Sequence, residues 1–190
     1  MQNTNKKYVC ISIQSTAQFK YWNHPGGWES VVRYLNSMGY EVYDIDRDSI
    51  FGGEIKNKIP KNTVNKTGLP LDKTIGVIKN AEFFIGISSG LSWLAWAVGV
   101  PVILISGITP PFFEFQSGCV RVFNPNVCNS CFCDVNVVFD KGDWMFCPHH
   151  KNTSRQFECT TTITPEIVID SINKIIKNNL QSTGIPITEE

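Results

Sequence analysis

The sequence predicts an α/β fold built on an open, mostly parallel, Rossmann-like sheet. Three observations predict it. Short apolar runs alternate with segments of helical period along the 190 residues. An early strand–helix–strand unit, its helix closed by Gly39, implies parallel strands joined by a right-handed crossover. The residues just past each predicted strand are small or polar, as where an open parallel sheet binds its ligand.

The apolar run within Tyr8–Gln14 reads as the first strand, and a polar loop over Ser15–Gly27 follows it. Trp28–Met38 reads as a helix, because Val31, Val32, Leu35 and Met38 share one face. Tyr40–Ile45 is a second strand, and Asp46–Leu69 is a long polar connection without clear period. Pro70–Asn80 reads as a helix with Leu71, Ile75 and Ile78 on its apolar side. Phe83–Ile87 is a third strand. It turns through Ser88-Ser89-Gly90 into a helix over Leu91–Val98 that ends at Gly99. Pro101–Ser106 is a fourth strand and Val120–Phe123 a short fifth. Thr164-Pro165-Glu166 is a helix start, with a hydroxyl cap, proline in the first turn and an acid near the dipole. That helix runs to about Lys177 and buries Ile167, Val168, Ile172 and Ile175. One domain over residues 1–180 is expected, holding a metal-binding segment over 127–160 and followed by a frayed polar tail over 181–190.

Charge narrows the function. Seventeen basic residues balance seventeen acidic ones, which argues against a reader of nucleic-acid backbone and against an anionic membrane surface. The polar start Met1–Lys7 lacks a signal-peptide core. The longest apolar stretch, Leu91–Ile105, is broken by Ser92, Gly99 and Pro101. A cytoplasmic protein is expected.

Two segments have phosphate-binding chemistry. Ser88-Ser89-Gly90 lies where a strand turns into a helix, so free backbone N–H groups and the helix dipole favour an anion there. Taken alone, it also reads as a plain serine cap before a buried helix. Ser15, Thr16, Gln18 and Lys20 follow the first strand, and Lys20 is suited to offset charge on a departing diphosphate. A solvated loop with an exposed lysine fits those residues as well. Trp22, Trp28, Trp93 and Trp96 are candidates to stack on a base, with Trp93 and Trp96 reading better as helix-to-sheet packing. Asp44 and Asp46 are candidates to hold a ribose.

Five of the seven cysteines fall between Cys128 and Cys159. Cys128 and Cys131 form a CxxC that can aim two thiolates at one ion, and Cys147 and Cys159 complete a tetrahedral set for zinc or iron. Cys133, His149 and His150 are competing ligands, and buried free thiols or a redox pair are the alternatives to a metal. Phe132, Phe139, Trp144, Phe146 and Phe157 would form an aromatic knot around the ion. Four thiolates leave no open position, so the role is structural. Cys10 and Cys119 read as core residues.

Three stretches carry a family resemblance: Ile13–Asn23; Phe84–Ala95; and Cys128–Cys131 together with Cys147–Lys151 and Arg155–Thr160. From about Val9 to Lys177 the chain resembles the bacterial autotransporter heptosyltransferases, and its middle stretch resembles the wider glycosyltransferase family 9. The resemblance implies a GT-B transferase with two facing Rossmann-like halves, of which this chain is the C-terminal, donor-binding one. It implies ADP-heptose as donor and hydroxyls of autotransporter adhesins as acceptors. By the same resemblance, Ser15, Thr16, Gln18 and Lys20 face the donor diphosphate, with Ser88, Ser89 and Gly90 on the opposing helix end. Lys20 is then the catalytic residue, and Cys128, Cys131, Cys147 and Cys159 hold iron in preference to zinc. Met1 precedes the first strand of that donor half, so the acceptor half and its general base are expected outside this chain, which then reads as a fragment, as one part of a split enzyme with a separate acceptor-half subunit, or as a reduced protein with a new role. Further copies of the chain are an expected partner too. A nucleotide-sugar-binding module without transfer activity and a metal-stabilised interaction module are the rival readings.

Overall fold

The computed structural model describes residues 6–51, 57–139 and 145–182. Trp144 of the expected aromatic knot, the first five residues and the tail from 183 onward lie outside the described residues. The elements in order are β1 (Tyr8–Ser12), α1 (Gly27–Ser37), β2 (Glu41–Asp44), β3 (Ile50–Phe51), β4 (Asn57–Lys58), β5 (Val64–Asn65) and α2 (Leu71–Lys79). After them come β6 (Phe84–Ile87), α3 (Gly90–Ala97), β7 (Val102–Ile105), β8 (Cys119–Val122), α4 (Glu158–Thr161) and α5 (Pro165–Ser182). Six strands form one sheet in the order β5-β2-β1-β6-β7-β8, and every pairing in it is parallel. The prediction of a parallel α/β sheet therefore holds.

Strand side chains alternate between two apolar layers, as a sheet covered on both faces requires. Val9, Ile11, Ile85, Ile87, Ile103 and Ile105 face one side, where α1 brings Trp28, Val31, Val32 and Leu35 and α5 brings Val168, Ile172 and Ile175. Cys10, Phe84, Val102 and Leu104 face the other, against Ile78 of α2 and Ala95 of α3. Gly86 is the exception in β6. A Cβ there would lie 2.5 Å from the Phe84 ring and 2.8 Å from Ser92 Oγ, so only glycine lets α3 sit this close to the strand.

Several expectations need correcting. The connection over Asp46–Leu69 is not featureless: β3 and β4 pair as an antiparallel hairpin, and β5 adds a parallel edge strand to β2. These pieces are two residues long, too short to leave a period in the sequence. Helix α5 extends to Ser182, past the expected end near Lys177 and into the segment expected to fray. Ile167 is 42% exposed rather than buried. Trp22 and Trp28 are core residues, edge-to-face at 5.2 Å, and Trp22 Nε1 donates to the Ile163 carbonyl at 2.8 Å. Trp93 and Trp96 do not pack α3 onto the sheet; both lie against the Phe115 ring and stay partly exposed. Among the described residues no helix is long and apolar enough to cross a membrane.

Beside the sheet centre two carboxylates are buried next to each other. Asp46 accepts hydrogen bonds from Ser12 Oγ at 2.6 Å, Ile13 N at 2.7 Å and Gln14 N at 3.4 Å, which suits an ionised group. Asp44 accepts from Asp46 N at 3.1 Å, but its other oxygen has no hydrogen-bond partner among the described residues. Burial, and then the charge of Asp46, push the Asp44 carboxyl well above the usual carboxylate range. The folded chain therefore binds this proton more tightly than the unfolded chain does. Asp44 costs stability as pH rises from the ordinary carboxylate range through its raised folded value. Asp44→Asn is expected to gain on wild type by at least about 1 kcal/mol, roughly 2–4 °C in Tm, at pH 8 compared with pH 5. Thermal melts at the two pH values check this, and a difference independent of pH would contradict it.

Candidate functional site

In the strand order β5-β2-β1-β6-β7-β8 the winding reverses between β1 and β6. The loops leaving those two strands must part, which opens a crevice at the carboxyl end of the sheet. A cleft of about 580 Å³ lies there. It is lined by Ser15, Thr16 and Lys20 after β1, and by Ser89 and Gly90 at the start of α3. Five of the seven expected donor residues thus meet across one cleft. Ser89 is the N-cap residue of α3 without a side-chain capping bond, and its buried hydroxyl has no hydrogen-bond partner among the described residues. Ser92 N and Trp93 N donate to the Ser89 carbonyl, which leaves the Gly90 and Leu91 amides at the helix start as donors for the cleft.

Two expected residues are elsewhere. Gln18 is buried in the 3-10 turn Gln18–Lys20 and does not line the cleft. Ser88 is buried, and its hydroxyl donates to Glu114 Oε1 at 2.5 Å. Of the two ribose candidates, Asp44 is fully buried, while Asp46 lines the cleft with both oxygens accepting from the exit of β1. Arg47 and Asp48 line the cleft beside Asp46, with an apolar wall of Phe51, Leu71, Leu91 and Leu94. Sequence reasoning missed that wall. Leu71 and Leu91 sit in the helix patterns as ordinary apolar positions, and only their place at the helix starts turns them to the cleft.

Lys20 closes one side. Its ammonium lies 5.8 Å from the Phe132 ring centroid. Burial pulls its pKa below the usual lysine value, and the negative charge of Glu114 works against that fall. Phe132 belongs to the cysteine-rich segment, so that segment forms part of the surroundings of Lys20.

The segment docks on the exit of β7. Ser130 N donates to the Gly107 carbonyl at 2.7 Å and Phe132 N to the Ile108 carbonyl at 2.9 Å. Cys131, Cys147, Phe157, Ile108, Phe19 and Ala17 share a small core, with Phe139 packed on it. All seven cysteines are free thiols. Burial first, then the neighbouring thiols, push Cys131 and Cys159 up to about 12 and raise Cys128, with Cys147 contributing to all three. Cys131 and Cys147 are buried, Cys128 and Cys159 are partly buried, and Cys133 is exposed. Thiols raised by burial, as Cys128, Cys131 and Cys159 are, keep their protons unless a cation compensates the charge. Cys128, His150 and Glu158 form a second group whose ligand atoms lie within 4.8 Å of one another. In that group Glu158 is already engaged, since its Oε1 accepts from Cys128 N at 3.0 Å and Arg155 binds both of its oxygens. His150 donates its backbone N–H to Cys147 Sγ at 3.3 Å.

A family model described as glycosyltransferase family 9 (heptosyltransferase) matches residues 1–116. An autotransporter heptosyltransferase of Citrobacter rodentium is 49% identical over 170 residues, 88% of this chain and 41% of that protein. The autotransporter heptosyltransferase TibC of Escherichia coli O78:H11 is 48% identical over 183 residues, 95% of this chain and 45% of that protein. Its crystal structure, of a dodecameric iron-containing heptosyltransferase in complex with ADP-D-β-D-heptose, matches with a TM-score of 0.87 over 91% of this chain and 45% of that one. An inactive autotransporter heptosyltransferase of Burkholderia thailandensis is 37% identical over 169 residues, 88% of this chain and 40% of that protein. The chain spans less than half the length of these relatives.

Docking of the cysteine segment depends on Gly107. A Cβ at this position would lie 2.5 Å from both the Cβ and the carbonyl oxygen of Cys159. Gly107→Ala is expected to destabilise the chain by about 1–3 kcal/mol through this overlap. Urea denaturation measures it, and a midpoint equal to wild type would show that the approach is not tight.

Proposed function

The chain belongs to glycosyltransferase family 9, and from that premise we propose that it is the donor-binding half of a heptosyltransferase. Residues 1–180 would form one nucleotide-sugar-binding domain containing the metal-binding segment 127–160. The observation that carries the reading is the cleft at the reversal of the sheet, where Ser15, Thr16 and Lys20 oppose the Ser89–Gly90 helix start. Hydroxyls, helix amides and an ammonium there suit a diphosphate, and the apolar wall suits a base. ADP-heptose is the donor in this reading, by analogy with the ligand of the solved TibC structure.

Lys20 is the residue we assign to catalysis. As the sugar leaves, negative charge collects on the departing diphosphate, and a half-buried ammonium stabilises it more strongly than water would. The acceptor is a protein hydroxyl, such as one on an autotransporter adhesin. Its proton needs a base, and the carboxylate of Asp46 is already hydrogen-bonded within the fold. An acceptor-binding half, in the same polypeptide or a partner subunit, would supply that base. Self-association belongs to the same reading, because the solved relative is dodecameric.

Cys128, Cys131, Cys147 and Cys159 are the proposed ligands of one ion. The support for this reading is the CxxC spacing of Cys128 and Cys131, with all four cysteines free thiols. Iron is preferred to zinc because the solved relative contains iron. A closed four-thiolate site supplies structural cross-linking rather than chemistry at the substrate. A cytoplasmic setting, where thiols stay reduced, agrees with this.

One relative is named as inactive, so the fold alone does not carry the activity and binding must be measured directly. Calorimetric titration with ADP-heptose, with ADP and UDP-glucose as controls, is expected to show selective binding of the adenine nucleotides. Lys20→Ala is expected to weaken ADP-heptose binding by about tenfold with an unchanged melting curve. No binding by any of the three ligands would overturn the donor reading in favour of a metal-stabilised interaction module. Cys131→Ser is expected to lose the metal and to lower Tm. Full metal content and an unchanged Tm in that variant would refute the four-cysteine site.

A further inference from the structure

Behind the phosphate-facing turn lies a polar cluster that the proposed reaction does not use. Glu114 is buried, and its Oε1 accepts from Ser88 Oγ at 2.5 Å and from Thr109 Oγ1 at 2.9 Å. Its Oε2 pairs with Arg121, whose other terminal nitrogen donates to the Thr109 carbonyl at 2.6 Å and to Thr109 Oγ1 at 2.8 Å. Ser106 Oγ lies 2.8 Å from Thr109 Oγ1 and extends the cluster to the end of β7.

We infer that Glu114 is a positioning residue of the donor site, which fixes the Ser88 hydroxyl and thereby sets the Ser89–Gly90 turn against the donor phosphates. The inference rests on the donor-binding reading above. Ser88 immediately follows β6, Thr109 follows β7, and Arg121 is within β8. One carboxylate therefore ties three adjacent strands together at the end that faces the cleft. A buried ion pair is weak evidence for stability, because its desolvation offsets its attraction. Its value is geometric: both oxygens are directed, so Ser88 has one hydroxyl orientation and the next two residues start α3 in one place. Arg121 also neutralises a negative charge that would otherwise repel a diphosphate. From the facing loop, the ammonium of Lys20 lies within the field of Glu114. The same residue thus acts on both phosphate-facing elements without lining the cleft itself.

The test is titration of this chain with ADP and with adenosine, which lacks the phosphates. Glu114→Ala is expected to lower ADP affinity by at least about tenfold and leave adenosine within about twofold. Glu114→Gln keeps an oxygen for Ser88 and Thr109 and is expected to recover ADP binding to within about threefold of wild type. Ser88→Ala removes only the donated bond, is the milder change if Glu114→Ala does not fold, and is expected to cost about threefold for ADP alone. The double variant Ser88→Ala, Glu114→Ala is expected to be no weaker than the weaker single variant, because both remove one interaction. Equal losses for ADP and adenosine, ADP affinity unchanged or tighter in Ser88→Ala, or a Gln variant as weak as the Ala variant would each overturn the inference. Additive losses in the double variant would assign Ser88 to direct phosphate contact instead and would overturn it too. If wild type binds no ADP, the donor reading itself fails and this inference fails with it.

Discussion

Where β1 and β6 lie side by side, the sheet winds outward in opposite directions, and the chain cannot cover the gap between the two departing loops. This constraint places the cleft before any side chain is chosen. What the side chains then do is hold the two loops apart in fixed positions. The loop after β1 is held by Asp46, which accepts the Ser12 hydroxyl and the Ile13 and Gln14 amides as the strand ends. The turn after β6 is held by Glu114 through Ser88. Each side of the crevice thus has its own buried carboxylate, and both carboxylates are occupied by the scaffold.

The same fact explains which parts of the site were legible in the sequence. Strands β1, β6 and β7 are apolar runs whose order places the cleft; position and residue type make Ser15, Thr16, Lys20, Ser89 and Gly90 candidates, and the family resemblance is what sets them facing a donor. The resemblance sets Gln18 and Ser88 facing the donor together with their sequence neighbours. A 3-10 turn rotates Gln18 inward, and Ser88 meets a carboxylate 26 residues away. No local pattern announces either outcome. The Glu114–Arg121 pair was invisible for the same reason, since its partners come from three strand ends and become neighbours only when the sheet forms. The hairpin β3–β4 and the edge strand β5 were missed because two-residue strands are defined by their partners rather than by periodicity.

The cysteine segment was legible from spacing, yet its relation to the cleft was not. Phe19, one residue before Lys20, packs in the same small core as Cys131 and Cys147, and Phe132 lies under the Lys20 ammonium. A 3-10 turn has little stability of its own, so the turn that carries Lys20 is fixed by what it packs against. That support is the segment proposed to close around an ion. The backbone bonds from Ser130 and Phe132 to Gly107 and Ile108, and the tight approach of Cys159 to Gly107, join the segment to the β7 exit. Burial raises the Cys131 and Cys159 thiols to about 12, so a bound cation would be needed to hold them as thiolates. The physical role that follows for a closed thiolate site is mechanical: it would stiffen one wall of the cleft, and with it the position of Lys20, the single lysine lining that cleft among the described residues.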